Sequence, residues 1–232
     1  MKDRISSRAY SNFVWAIKDV GRLIKLYNTN FSVSTDDALR EIGVLKRATI
    51  VMAVTCWETY IEDMLNEEFQ YCLQMAKSPR DVQSAFNAAA NQWLQSRSQS
   101  AVKDMQEWTG DAWKSVVLKY FKKDIRNLSS PSSTRVQKLS TRYLNIDATS
   151  FWHWRGVSQE VACSRLDALI KRRGDLVHRA RDIFQLAQRP TKREALASVN
   201  LVSQLADCTK SGLGWSNWVD LPNLTRKKQP RG

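Results

Sequence analysis

The chain has 232 residues, 43% hydrophobic and 25% charged, which excludes a disordered chain and allows one substantial core or at most two small ones. Only 8 glycines and 5 prolines are present, so long helices with few breaks are expected. The formal net charge of +13 calls for an anionic partner, of which nucleic acid is the usual one; an acidic protein or an anionic membrane surface is the alternative.

Residues 3–28 read as a first helix, because Phe13, Ile17, Val20, Ile24 and Tyr27 recur at spacings of three and four and share one face. Asn28 to Ser34 is turn-like, and Ser34 or Thr35 can cap the next helix, with Asp36 and Asp37 in its first turn. This second helix should run from about Asp36 to about Met75, where Lys77-Ser78-Pro79 ends it. Its stripe is Leu39, Ile42, Leu45, Ala48, Met52, Cys56 and Tyr60, widened by Val44, Val51, Val54, Ile61 and Leu65. A helix so apolar all round belongs at the centre of a fold.

A helix over 80–108 turns Val82, Phe86, Ala89, Ala90 and Trp93 inward and can break in the polar stretch from Gln95 to Lys103. Gly110 marks a turn, and 111–128 is helical again through Trp113, Val117, Tyr120, Phe121 and Ile125. Ser129-Ser130-Pro131-Ser132-Ser133 is a linker and start signal for a helix over 133–144. Residues 145–157, with Phe151-Trp152-His153-Trp154, read as irregular. Ser158 caps a helix from 159 to about 178, and a last helix spans about 190–211 with proline at its first position.

The expectation is an all-α helical bundle: one domain over 1–222, an inserted or elaborated middle at 80–145, and a basic disordered tail at 223–232. No apolar segment at the N-terminus resembles a signal, and Ala48 to Trp57 is too short to span a bilayer, so a cytoplasmic protein without a membrane partner is expected. The four cysteines lack metal-ligand spacing and suit a reducing compartment.

The chemistry concentrates in the helix over 159–178. Ala162, Leu166, Leu169, Arg173 and Leu176 share its apolar face, with Ile170 and Val177 alongside. Arg173 stands where that face should hold a leucine. An unpaired charge there costs several kcal/mol or more, so Arg173 pairs with a buried acid or lines a cleft or interface. Asp175 and His178 are neighbours three apart on the same helix. On residue physics alone a lone histidine is more often structural or solvated than catalytic.

Arg173, four residues, then His178 matches the R-x4-6-H signature of the HEPN superfamily. Val51 to Glu62, reading VMAVTCWETYIE, resembles the apolar-W-E-x-Y helix of its RiboL-PSP branch. Leu169 to His178, reading LIKRRGDLVH, resembles that branch's motif helix, and the order of the two helices also fits. The position after the motif arginine is commonly Asn, Asp or His in the family. Here it is Gly174, with Asp175 one residue later to supply the polar group.

The resemblance implies a helical bundle of the HEPN type and metal-independent endoribonuclease chemistry, in which the RNA's own 2′-hydroxyl attacks the phosphate. Such a site needs a base, an acid and a cation for the charged phosphorane. His178 would transfer protons and Arg173 would stabilise the phosphate. Because the motif holds one histidine, a homodimer is expected to supply two. Glu58 lies in the apolar stripe of the second helix and is the candidate to pair with Arg173, the alternative being a solvated acid beside Glu62. The role implied is a toxin or antiviral defence effector on cellular RNA, with an antitoxin or regulatory protein as partner. The rival is a non-catalytic RNA-binding or protein-interaction module, which Gly174 favours.

Arg172 and Arg179 flank the motif and are expected to contact RNA, as are Lys122, Lys123 and Arg126; the bland reading of these lysines is a solvated face. Trp152 and Trp154 with His153 and Arg155 could stack on bases, although a hydrophobic plug is the favoured reading. With 2 histidines and no clustered acids, neither a catalytic metal nor a cofactor is expected.

Overall fold

Seven α-helices make up most of the described chain: α1 (Arg8–Thr29), α2 (Asp36–Met75), α3 (Gln83–Gln95), α4 (Ala112–Arg126), α5 (Ser133–Leu144), α6 (Gln159–His178) and α7 (Lys192–Leu213). Single 3-10 turns lie at Pro79–Val82, Met105–Trp108 and Ala148–Phe151. This computed structural model describes residues 7–29, 36–96, 105–178 and 190–213. The caps expected at Ser34 or Thr35, and the basic tail, lie outside them. Among the described residues no strand forms, and Trp154 and Val157 make one isolated antiparallel bridge. None of the described helices is long and apolar enough to cross a membrane.

The 40-residue α2 is the axis of the fold, and α1, α4, α5, α6 and α7 all pack on it. Ile50, Ala53, Trp57, Tyr60 and Met64, spaced three and four apart, are completely or almost completely buried. Of the face expected from sequence, Val54, Cys56, Tyr60, Ile61 and Leu65 are buried, but Met52 is 41% exposed and Val44 56%. A helix apolar on every side carries no phase signal, so its neighbours decide which side is covered.

α1 lies antiparallel to α2, with the Phe13 and Tyr60 rings 5.0 Å apart. It starts at Arg8 rather than at residue 3, because Ser7 is its cap: the Ser7 Oγ accepts from the Tyr10 N–H at 3.1 Å. The Glu67 carboxylate of α2 accepts from the Ala9 N–H and the Ser7 hydroxyl, both at 2.8 Å. Its neighbour Glu68 is fully buried, and neither of its oxygens finds a hydrogen-bond partner among the described residues. Burial, reinforced by the Glu67 charge, pushes the Glu68 carboxyl up to about 8.

Of the helix expected over 80–108, with a break allowed between Gln95 and Lys103, Gln83–Gln95 forms α3, and its expected first residues form a separate turn. The Asp81 carboxylate accepts from the Lys77 and Ser78 N–H groups and closes a separate 3-10 turn ahead of α3. A second such turn precedes Gly110, whose φ of +54° opens the way to α4. Phe69 of α2, Phe121 of α4 and Tyr143 of α5 form an aromatic knot with centroids 4.3–5.3 Å apart. Around it, Asp124 of α4 accepts from the Tyr143 hydroxyl, Arg142 and Gln92, tying α3, α4 and α5 together.

The irregular segment after α5 is where Trp152 enters the core completely, its ring edge-on to Trp57 at 5.5 Å. Its Nε1 donates to the Thr209 Oγ1 of α7 at 2.9 Å. No face is left on which a base could stack at Trp152. The final helix starts at Lys192, not at the proline. Pro190 lies before Thr191, whose Oγ1 accepts from the Glu194 N–H at 3.0 Å while the Glu194 carboxylate accepts from the Thr191 N–H at 3.4 Å.

Candidate functional site

α6 is held at its start by Ser158, whose Oγ accepts from the Val161 N–H at 3.4 Å and whose carbonyl accepts from the Ala162 N–H at 2.9 Å. About two turns further in, the Asp167 carboxylate takes the Ser133 N–H at 2.8 Å and the Ser133 hydroxyl at 2.6 Å, so α6 also caps α5. Ala162 and Leu166 are completely buried, and Leu169 and Leu176 nearly so. Arg173 lies on the same face, between those two leucines.

The opposing wall is α2 around Trp57. That ring is completely buried, and its Nε1 donates to the Pro131 carbonyl at 3.2 Å. Tyr60, three residues on, donates its hydroxyl to the Ala206 carbonyl of α7 at 2.9 Å. With both aromatics anchored, Glu58 between them is turned toward α6. Its Oε2 accepts from the Arg173 Nη2 at 3.3 Å, and the side chains are 16% and 29% exposed respectively.

This ion pair is incomplete. The Glu58 Oε1 and the Arg173 Nε are both buried and have no hydrogen-bond partner among the described residues. A bidentate fork would have satisfied both. The single contact neutralises Arg173 in the apolar face but leaves one acceptor and one donor with unmet demand, each a cost of about 1–3 kcal/mol. Glu62, one turn along α2, has its carboxyl pushed upward by burial and by the nearby Glu58 and Asp63 charges, which favours its neutral form.

Arg172 points elsewhere. Its Nε donates to the Glu194 Oε1 at 2.6 Å, tying α6 to the first turn of α7. Gly174 and Asp175 are half-buried. A Cβ added at Gly174 would meet nothing within 4 Å among the described residues, so their packing does not require the glycine. The backbone of His178 is the last residue of α6; its side chain, and all of Arg179, lie outside the described residues.

Lys122, Lys123 and Arg126 are not part of this wall. They sit on α4, which packs chiefly against α2, α3 and α5. There they line a groove of about 660 Å³ together with Lys119, which sequence reading passed over. Lys119 stands three and four residues before the two lysines, a spacing that would have revealed it. Glu194 was missed too, although Thr191-x-x-Glu194 is a legible capping box.

An arginine inside an apolar helix face, held by a glutamate on the central helix beside a buried tryptophan, defines an all-helical domain of the two-helix R-x4-H kind. The chain belongs to the RiboL-PSP-HEPN family, whose model matches residues 11–213. Membership carries a general association with nuclease and RNA-related function. Neither a curated protein nor a solved structure matches the chain.

Proposed function

We propose that this protein is a metal-independent endoribonuclease whose site is built on Arg173 and His178 and completed by a second copy of the chain. The observation that carries the reading is the placement of Arg173: a cation in a leucine slot, held by one contact to Glu58 with donor capacity to spare. An arginine needed only for stability would be matched fully or replaced by a leucine.

In the proposed reaction the 2′-oxygen of the substrate attacks the adjacent phosphorus as its proton passes to one His178. The 5′-oxygen leaves with a proton from the His178 of the second copy, giving a 2′,3′-cyclic phosphate and a free 5′-hydroxyl. Arg173 offers its guanidinium to the phosphorane oxygens, and Glu58 keeps that group aimed. Asp175, three residues before His178 on the same helix, is assigned to orienting the imidazole. Arg172, with its Nε already committed to Glu194, contributes field rather than a fork to phosphate, and Arg179 is proposed as a further contact to RNA. The open space beside Gly174 favours close approach of RNA or of the partner helix. The proposed role is that of a toxin or defence effector restrained by a regulatory protein, with 1–222 acting as one domain.

Purified protein should cut RNA in EDTA, leave DNA intact, and lose activity in Arg173→Ala and His178→Ala. Intact RNA despite full binding would replace this reading with that of a binding module, which the glycine after Arg173 favours. A strict monomer that still cuts would remove the shared site.

A further inference from the structure

The groove on α4 has no part in the chemistry above. Lys119, Lys122, Lys123 and Arg126 occupy positions i, i+3, i+4 and i+7, one face of the helix extending over ~10 Å at 1.5 Å per residue. All four are exposed, and none has an ion-pair partner among the described residues. The acid of the same helix, Asp124, is turned away to Tyr143, Arg142 and Gln92. Cations in a last turn compensate the helix dipole, worth about 0.3–1 kcal/mol each near the terminus, but that does not account for Lys119 two turns in. A merely solvated face would be convex, whereas these side chains border a hollow of about 660 Å³ whose edge also carries Ser115 and Asn127 as neutral donors.

We infer that this groove holds the phosphate backbone of single-stranded RNA, as a binding site separate from the Glu58–Arg173 wall. Duplex grooves are entered by protruding elements, while a hollow lined with cations tracks a single strand. Cations and neutral donors that reach phosphate position a strand without reading it. The aromatic residue of the groove, Tyr120, is 8% exposed and its hydroxyl lies 3.4 Å from the Ser96 Oγ, so it offers no face for stacking. Binding here is therefore independent of base sequence. Phe121, beside these cations, meets Phe69, which lies 11 residues beyond Glu58 and so ~16 Å further along α2. A strand in the groove is thus gripped well away from Arg173.

The test uses full-length protein carrying His178→Ala, so that cutting does not interfere and failure of the nuclease reading leaves the measurement intact. Fluorescence anisotropy with labelled oligouridylate is followed against salt. The variant Lys119→Ala/Lys122→Ala/Lys123→Ala should raise Kd at least ~10-fold and reduce the log–log salt slope by about 2, for three single-strand phosphate contacts. The control Lys18→Ala/Lys77→Ala/Lys138→Ala removes the same charge from exposed sites elsewhere and should leave the slope nearly unchanged. Replacing the three groove lysines with Arg should retain binding, and with Gln should reproduce the loss should the Ala variant not fold. An equal effect of the control, an unchanged slope in the groove variant, or loss of binding to phosphatidylserine vesicles with RNA binding intact would overturn the inference.

Discussion

Replacing Glu68 with Gln should remove most of a stability loss that the protein otherwise suffers as pH rises. Glu68 is fully buried in α2 without a hydrogen-bond partner among the described residues, and its carboxyl is raised from 4.5 to about 8. Its folded value lies above its unfolded one, so the folded state retains a proton that the unfolded chain has released. Stability from this group is therefore full below about pH 4.5 and declines as pH climbs through the folded value. A displacement of about 3.5 pH units at 1.36 kcal/mol each sets a ceiling of ~5 kcal/mol, of which ~3.5 kcal/mol falls between about pH 5 and pH 8. Gln keeps the shape of the neutral acid and cannot ionise. Urea unfolding of both proteins across that window should show Glu68→Gln gaining steadily on the wild type. Parallel curves would mean that Glu68 is solvated or paired and that the burial argument is wrong.

Gly212→Ala should lower the melting temperature by the equivalent of about 1–3 kcal/mol, since its Cβ would fall 2.0 Å from the Phe151 ring; Phe151→Ala in the same chain should recover part of the loss, and a stabilised single variant would refute the contact. Glu58→Leu and Arg173→Leu should each destabilise, while the double replacement should match or exceed the wild type by up to ~4 kcal/mol, with RNA cleavage abolished in all three; additive losses in a double-mutant cycle would show that the two groups do not interact. Trp152→Phe should cost about 1 kcal/mol through the lost Thr209 bond and leave RNA affinity unchanged; a fall in affinity without a fall in stability would restore the base-stacking role.

The helix carrying Arg173 could be read in advance because its face is sharply two-sided: Ala162, Leu166, Leu169 and Leu176 are buried as their spacing requires, and the one misplaced cation stands out. Glu58 could be proposed as its partner because the acid interrupts an apolar stretch. α2 itself hid its orientation, since residues such as Val44 and Met52 supply apolar positions on the side that stays outside. The middle of the chain was harder because its breaks depend on local hydrogen bonds, such as Asp81 closing a turn on Lys77 and Ser78, which no periodicity registers. The start of α7 was misplaced by giving weight to Pro190 when Thr191 and Glu194 were already a complete start signal. The groove on α4 needed three dimensions: four cations at helical spacing can be seen in a sequence, but a hollow beside them cannot.

Two adjacent arginines of α6 are fastened in different directions, Arg173 to Glu58 on α2 and Arg172 to Glu194 on α7. Successive side chains on a helix diverge by about 100°, so these two ties act like a pair of opposed pins through a shaft. The helix cannot turn about its long axis without releasing one of them. The angular setting of the backbone at His178, five residues further on, is inherited from that lock. Whatever meets this helix therefore finds it already set in azimuth.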